Sequence, residues 1–140
     1  MPFLSNVESL SSYFPELILV LSILCVFIME SIPSYRHLTF IATCAGLIFT
    51  GILLILSNSN SLSLFEGMLI HDSFSIYFKW LIWFSTFSIV LVSQSDNSVM
   101  DSVKGEYYGM LLIIMLGMFS MVSANNLLMI YLSIEIVSIP

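Results

Sequence analysis

Residues 38–56 form an apolar run of about 19 positions that carries no charged side chain. As a helix this run is about 28 Å long, close to the thickness of a bilayer's hydrocarbon core. A water-soluble domain would have to cover such a segment on every side. Too little polar sequence is available for that, because 59% of the chain is hydrophobic, 9% is charged and the mean hydropathy is +1.05. A soluble domain is roughly a quarter charged, so lipid replaces water as the solvent for most of this surface. Barrel strands would alternate and last about ten residues, whereas the apolar runs here are longer and apolar on both faces.

Four further runs follow the same logic. The first covers residues 15–32, entered through Tyr13, Phe14, Pro15 and Glu16. Proline suits a first helical turn, where its missing N–H costs nothing, and Glu16 complements the positive helix start. The run closes at Glu30, Ser31 and the Ile32-Pro33 pair, since proline disfavours helix in the preceding residue. Residues 1–14 hold no basic side chain and include Glu8, so this is a retained helix rather than a secretory signal. Gly46 and Gly51 in the second run permit close helix contact. The tract SNSNSLS at 57–63 is a polar loop.

The third run, 74–92, is opened by Asp72 or Ser73 as N-cap, with Lys79, Trp80 and Trp83 in its first turns. Tryptophan favours the membrane interface and a lysine near a helix end snorkels to the headgroups, which is the favoured reading of Lys79 over a place on an ion path. A polar connection over 93–105 carries Asp96, Asp101 and Lys104. The fourth run is 107–122, preceded by Glu106. The fifth, 125–140, is still apolar at Pro140, so the sequence is expected to be part of something longer. The expected fold is therefore all-α and membrane-integral: one domain over 1–140 with about five transmembrane helices. Arg36 and Lys104 place the first–second and third–fourth connections on the matrix or cytoplasmic side.

Several functions are excluded or disfavoured by the same residues. Three basic side chains (Arg36, Lys79 and Lys104) cannot neutralise a phosphate backbone, so nucleic acid is not an expected partner, whereas lipid is. Cys25 and Cys44 lie in apolar runs and read as small buried hydrophobes. His37 and His71 are lone loop histidines without a second ligand one turn away, so no metal site is expected.

Glu135 is the side chain that breaks the pattern. It lies nine residues beyond Asn126, about 13 Å into the bilayer, where an exposed charge costs at least roughly 2.5–3.5 kcal/mol. It must face protein or a water-filled space. Tyr131 at i−4 and Ser138 at i+3 share its helix face. Two readings stand side by side: helix glue, or a titratable station on an ion path. Glu106, by contrast, serves the dipole of the fourth helix.

The stretch 105–140 carries a resemblance. Gly105-Glu106-Tyr107-Tyr108, Leu116-Gly117-Met118, the Ser123-Ala124-Asn125-Asn126-Leu127-Leu128 turn and the Leu132-Ser133-Ile134-Glu135-Ile136-Val137-Ser138-Ile139-Pro140 segment follow a family pattern in order and spacing. They resemble the fourth and fifth helices of subunit 2 of proton-pumping NADH:ubiquinone oxidoreductase, complex I. Pro15-Glu16-Leu17, Asp72-Ser73-Phe74 and Phe78-Lys79 look like weaker features of the same family. The resemblance implies the N-terminal fragment of an antiporter-like fold with inverted repeats, in which the glutamate matching Glu135 lies on a proton path and pairs with a lysine two helices later. This sequence ends before that lysine. It implies a second polypeptide carrying the remaining helices, together with other membrane-arm subunits. Glu106 and Lys79 are secondary candidates for the path.

By the same resemblance the chain is a component of a translocase without a redox site of its own. NADH, FMN, iron–sulfur clusters and ubiquinone would be bound elsewhere in the complex, and this chain would bind no cofactor. Abundant Ile, Leu, Phe, Ser, Asn and Met with only three alanines is a usage common among organelle-encoded proteins, which suggests the mitochondrial inner membrane, with the bacterial plasma membrane as the alternative. Cation/proton antiporter subunits, membrane-bound hydrogenase subunits and a non-transporting scaffold are the competing readings.

Overall fold

The computed structural model describes residues 13–57, 62–64, 68–95 and 103–140. Glu8, Asp96, Asp101 and most of the 57–63 tract lie outside the described residues, as does the side chain of Arg36. Among the described residues five α-helices follow one another: α1 (Phe14–Ser31), α2 (Thr39–Leu56), α3 (Ser73–Ser95), α4 (Lys104–Ser123) and α5 (Leu127–Ser138). A short 3₁₀ segment, Pro33–Leu38, turns α1 into α2. The first four helices are long and apolar enough to cross a membrane, and α5 is a shorter apolar helix. The chain is thus an all-α membrane bundle, as its apolar runs require.

Local chemistry sets the helix starts. Pro15 stands in the first turn of α1. At α3 the Asp72 carboxylate accepts from the Ser75 N–H at 2.8 Å, while the Ser75 hydroxyl accepts from the Asp72 N–H at 3.1 Å, so two orphan donors are satisfied reciprocally. The Asn126 side chain caps α5 by accepting from the Leu128 N–H. Helix α4 begins at Lys104, three residues ahead of the apolar run expected from 107, and has Glu106 in its first turn.

Helix α4 is the centre of the bundle and packs against all four others. Tyr108, Leu112, Met115 and Phe119, spaced four, three and four apart, are almost completely buried along one stripe. In lipid that stripe is held by close packing rather than by release from water, which favours small residues where helices cross. Gly105 and Gly109, a G-x-x-x-G pair, meet α1 there: a Cβ on Gly109 would stand 2.8 Å from the Phe27 ring. The glycines singled out in α2 are also contacts, Gly46 against Ser22 and Gly51 against the Trp83 indole.

The connection between α2 and α3, expected to be a plain polar loop, contains a two-stranded antiparallel pair, β1 (Leu62–Leu64) and β2 (Leu69–His71). The turn between α4 and α5 leaves backbone groups open, and β2 meets them. Leu69 bridges Ala124, and the Asn125 N–H donates to the Met68 carbonyl at 2.9 Å. Hairpin and turn therefore lie at the same end of the bundle. His71 is buried rather than a free loop histidine, and its Nε2 is 2.8 Å from the Ser57 hydroxyl.

Candidate functional site

Among the described residues, two places bring charged candidates into the bundle, and Glu30 is buried at a third. The first joins α1, α3 and α4 near the hairpin end. Glu16, in the first turn of α1, is fully buried, and Lys79, in the second turn of α3, is 2% exposed. Lys79 Nζ donates to Glu16 Oε1 at 2.5 Å and stands 5.9 Å from the Phe119 ring centroid of α4. This corrects the snorkelling reading. The lysine turns inward because a carboxylate from another helix meets it, which offsets the cost of keeping a charge away from headgroups. Glu16 likewise does more than complement a helix dipole. Its Oε2 has no hydrogen-bond partner among the described residues.

Two hydroxyls complete this junction. Tyr13, just ahead of α1, lies 3.3 Å from the Ser120 hydroxyl of α4. Burial pushes the Tyr13 hydroxyl above its ordinary pKa and the Glu16 charge pushes it the same way, against a smaller pull from Ser120. Tyr13 therefore stays a neutral phenol at physiological pH, and the contact with Ser120 persists.

The second place is α5. Glu135 is half-buried, with Tyr131 one turn earlier on the same helix. Ser138, expected on the same polar stripe, donates instead to the Glu135 backbone carbonyl at 3.2 Å. Helix α5 rests on α4, where a Cβ on Gly117 would fall within 3 Å of the Ile136 and Val137 side chains. Its other face is open: Leu127, Leu128, Tyr131, Leu132 and Ile134 are all exposed.

Glu106 is separate from both places. It is exposed and lines an open cleft with Glu30, Phe27, Ser31 and Met110 at the end of the bundle opposite the hairpin. Glu30 itself is buried against Gly105, a contact that the sequence reading did not anticipate. The only local hint of it is a glycine beside a helix-start glutamate, paired with a carboxylate at the end of an earlier helix.

Apolar spanning helices that enclose a lysine–carboxylate pair, with a further carboxylate on an open helix face, define a polytopic membrane protein that keeps charge within its bundle. No family model matches the chain. Sequence comparison finds that it is similar to NADH-quinone oxidoreductase subunit N of Anaeromyxobacter sp. (strain Fw109-5), with 32% identity covering 95% of this chain and 26% of that protein. It is also similar to NADH-quinone oxidoreductase subunit N 2 of Chloroherpeton thalassium, with 36% identity covering 92% of this chain and 26% of the relative. Subunit N of Nitrosomonas europaea is 30% identical over 90% of the chain and 27% of its own length. The chain thus spans about a quarter of the length of the curated relatives it matches.

Proposed function

We propose that this chain forms the leading part of a proton-pumping membrane-arm subunit of respiratory NADH:quinone oxidoreductase, the subunit 2 position of complex I. In this reading Glu135 is a station on a proton path that other helices complete. Those helices lie beyond the residues of this sequence, and the remaining membrane-arm subunits are its neighbours. Oxidation of NADH, with its FMN and iron–sulfur clusters, and the reduction of ubiquinone belong to other subunits. The membrane is the mitochondrial inner membrane or, for a bacterial source, the plasma membrane.

The observation that carries the reading is the setting of Glu135. Glu135 is a half-buried carboxylate on a helix that this chain covers on one side only, and no cation is paired with it among the described residues. Its depth makes lipid exposure costly, so a protein partner or a water-filled path is the stable alternative. The similarity to subunit N proteins supports the same assignment. Lys79 is kept out of this path by its pairing with Glu16, and Glu106 has the position of a dipole-complementing side chain.

The test is native-gel separation of gently solubilised membranes, with intact mass and peptide mapping of the band that holds this chain. Migration in a large assembly with redox subunits and further helical segments is the expected result. Migration as a small oligomer without redox partners would overturn the assignment and favour a scaffold or a separate transporter.

A further inference from the structure

We infer that Glu16 and Lys79 are a positioning pair for Glu135, acting through the last turns of α4. This rests on the reading of Glu135 given above, but on residues to which that reading assigns no role. The chain of contacts is short. Lys79 lies over the Phe119 ring, and Tyr13, one turn before Glu16, meets the hydroxyl of Ser120. Phe119 and Ser120 follow Gly117 within one turn of α4, and Gly117 is the position on which Ile136 and Val137 of α5 rest. Those two residues directly follow Glu135. The α1–α3 charge pair thus clamps one side of the α4 segment whose other side is the floor for Glu135.

The chemistry suits a positioning role better than a stabilising one. A buried ion pair gives back in attraction about what its desolvation costs, so its net worth lies in fixing which geometry is adopted. Apolar contacts alone discriminate less sharply between neighbouring registers than a buried charge does. A lysine and a carboxylate that meet at one depth fix the register, since every other register leaves a charge unpaired. The pair comes from α1 and α3, and among the described residues α4 contributes Phe119 and Ser120 to the junction; α2 carries no charged residue at all.

Spin labels at the exposed positions Met121 of α4 and Leu132 of α5, with Cys25 and Cys44 replaced, read the α4–α5 geometry in native membranes. The wild-type pair should give one narrow distance distribution. Glu16→Gln with Lys79→Met removes both charges without stranding either. It should broaden or shift that distribution and lower proton pumping per NADH oxidised several-fold at equal abundance. The exchanged pair, Glu16→Lys with Lys79→Glu, should restore both. An unchanged narrow distribution in the neutral double variant would overturn the inference. Where the charge variants do not accumulate, Tyr13→Phe removes one hydroxyl at the same junction; broadening there supports the inference and an unaltered distance overturns it. Glu135→Gln run in parallel separates the two claims: normal pumping in that variant rejects the proton-path reading, while the distance still decides the positioning claim.

Discussion

The junction of α1, α3 and α4 and the open face of α5 solve the same problem in opposite ways. Each places an ionisable side chain within an apolar helix. At the junction the charge is cancelled inside this chain: Lys79 and Glu16 are sealed from solvent and bonded to each other. On α5 the carboxylate has no ion-pair partner among the described residues and is half-buried beside a face of exposed leucine and isoleucine. The first arrangement is closed, with a charge that can neither leave nor be reached without breaking packing. The second is open, since this chain covers α5 on one side only. Under the proposed function, the more deeply buried pair is framework and the less buried glutamate is the working group.

The largest effect should come from breaking the closed region. Lys79→Met or Glu16→Gln alone strands a buried partner and should cost about 3–5 kcal/mol, seen as lost accumulation or a lowered thermal midpoint in detergent. Removing both together should recover most of that loss, and equal damage from the single and double variants would break the comparison. Gly109→Leu forces a side chain into the Phe27 ring and should cost about 1–3 kcal/mol by the same measurement, testing whether α1 and α4 cross as closely as described. Asp72→Ala removes the α3 cap and should cost about 1 kcal/mol. Glu135→Gln should leave accumulation and thermal midpoint as they are, since the amide keeps the shape of the side chain and no ion pair is lost among the described residues. A large stability loss from that substitution would make Glu135 framework too.

Much of the fold was legible in the sequence because lipid demands long uncharged runs, and those runs map directly onto helices. The Asp72 cap and Pro15 in the first turn of α1 are local signals, readable within a few residues. Lys79 was misread because its partner lies 63 residues away, and a snorkelling lysine and an inward lysine look alike within a single helix. The close approach of Glu30 to Gly105 was missed for the same reason. The β1–β2 pair was invisible because its strands are three residues each, and their packing depends on the turn at Ala124 and Asn125 from a distant helix end. Glu135 stood out in the sequence by depth alone, but the open α5 face beside it emerged only from the packing of α5 on α4.

The most direct test of the account is proton pumping by the assembled complex in proteoliposomes, comparing Glu135→Gln with the unsubstituted chain at matched abundance and matched NADH oxidation. The account predicts normal assembly with fewer protons moved per NADH oxidised. Full pumping with normal coupling in the Glu135→Gln complex would contradict it and leave Glu135 as a helix contact.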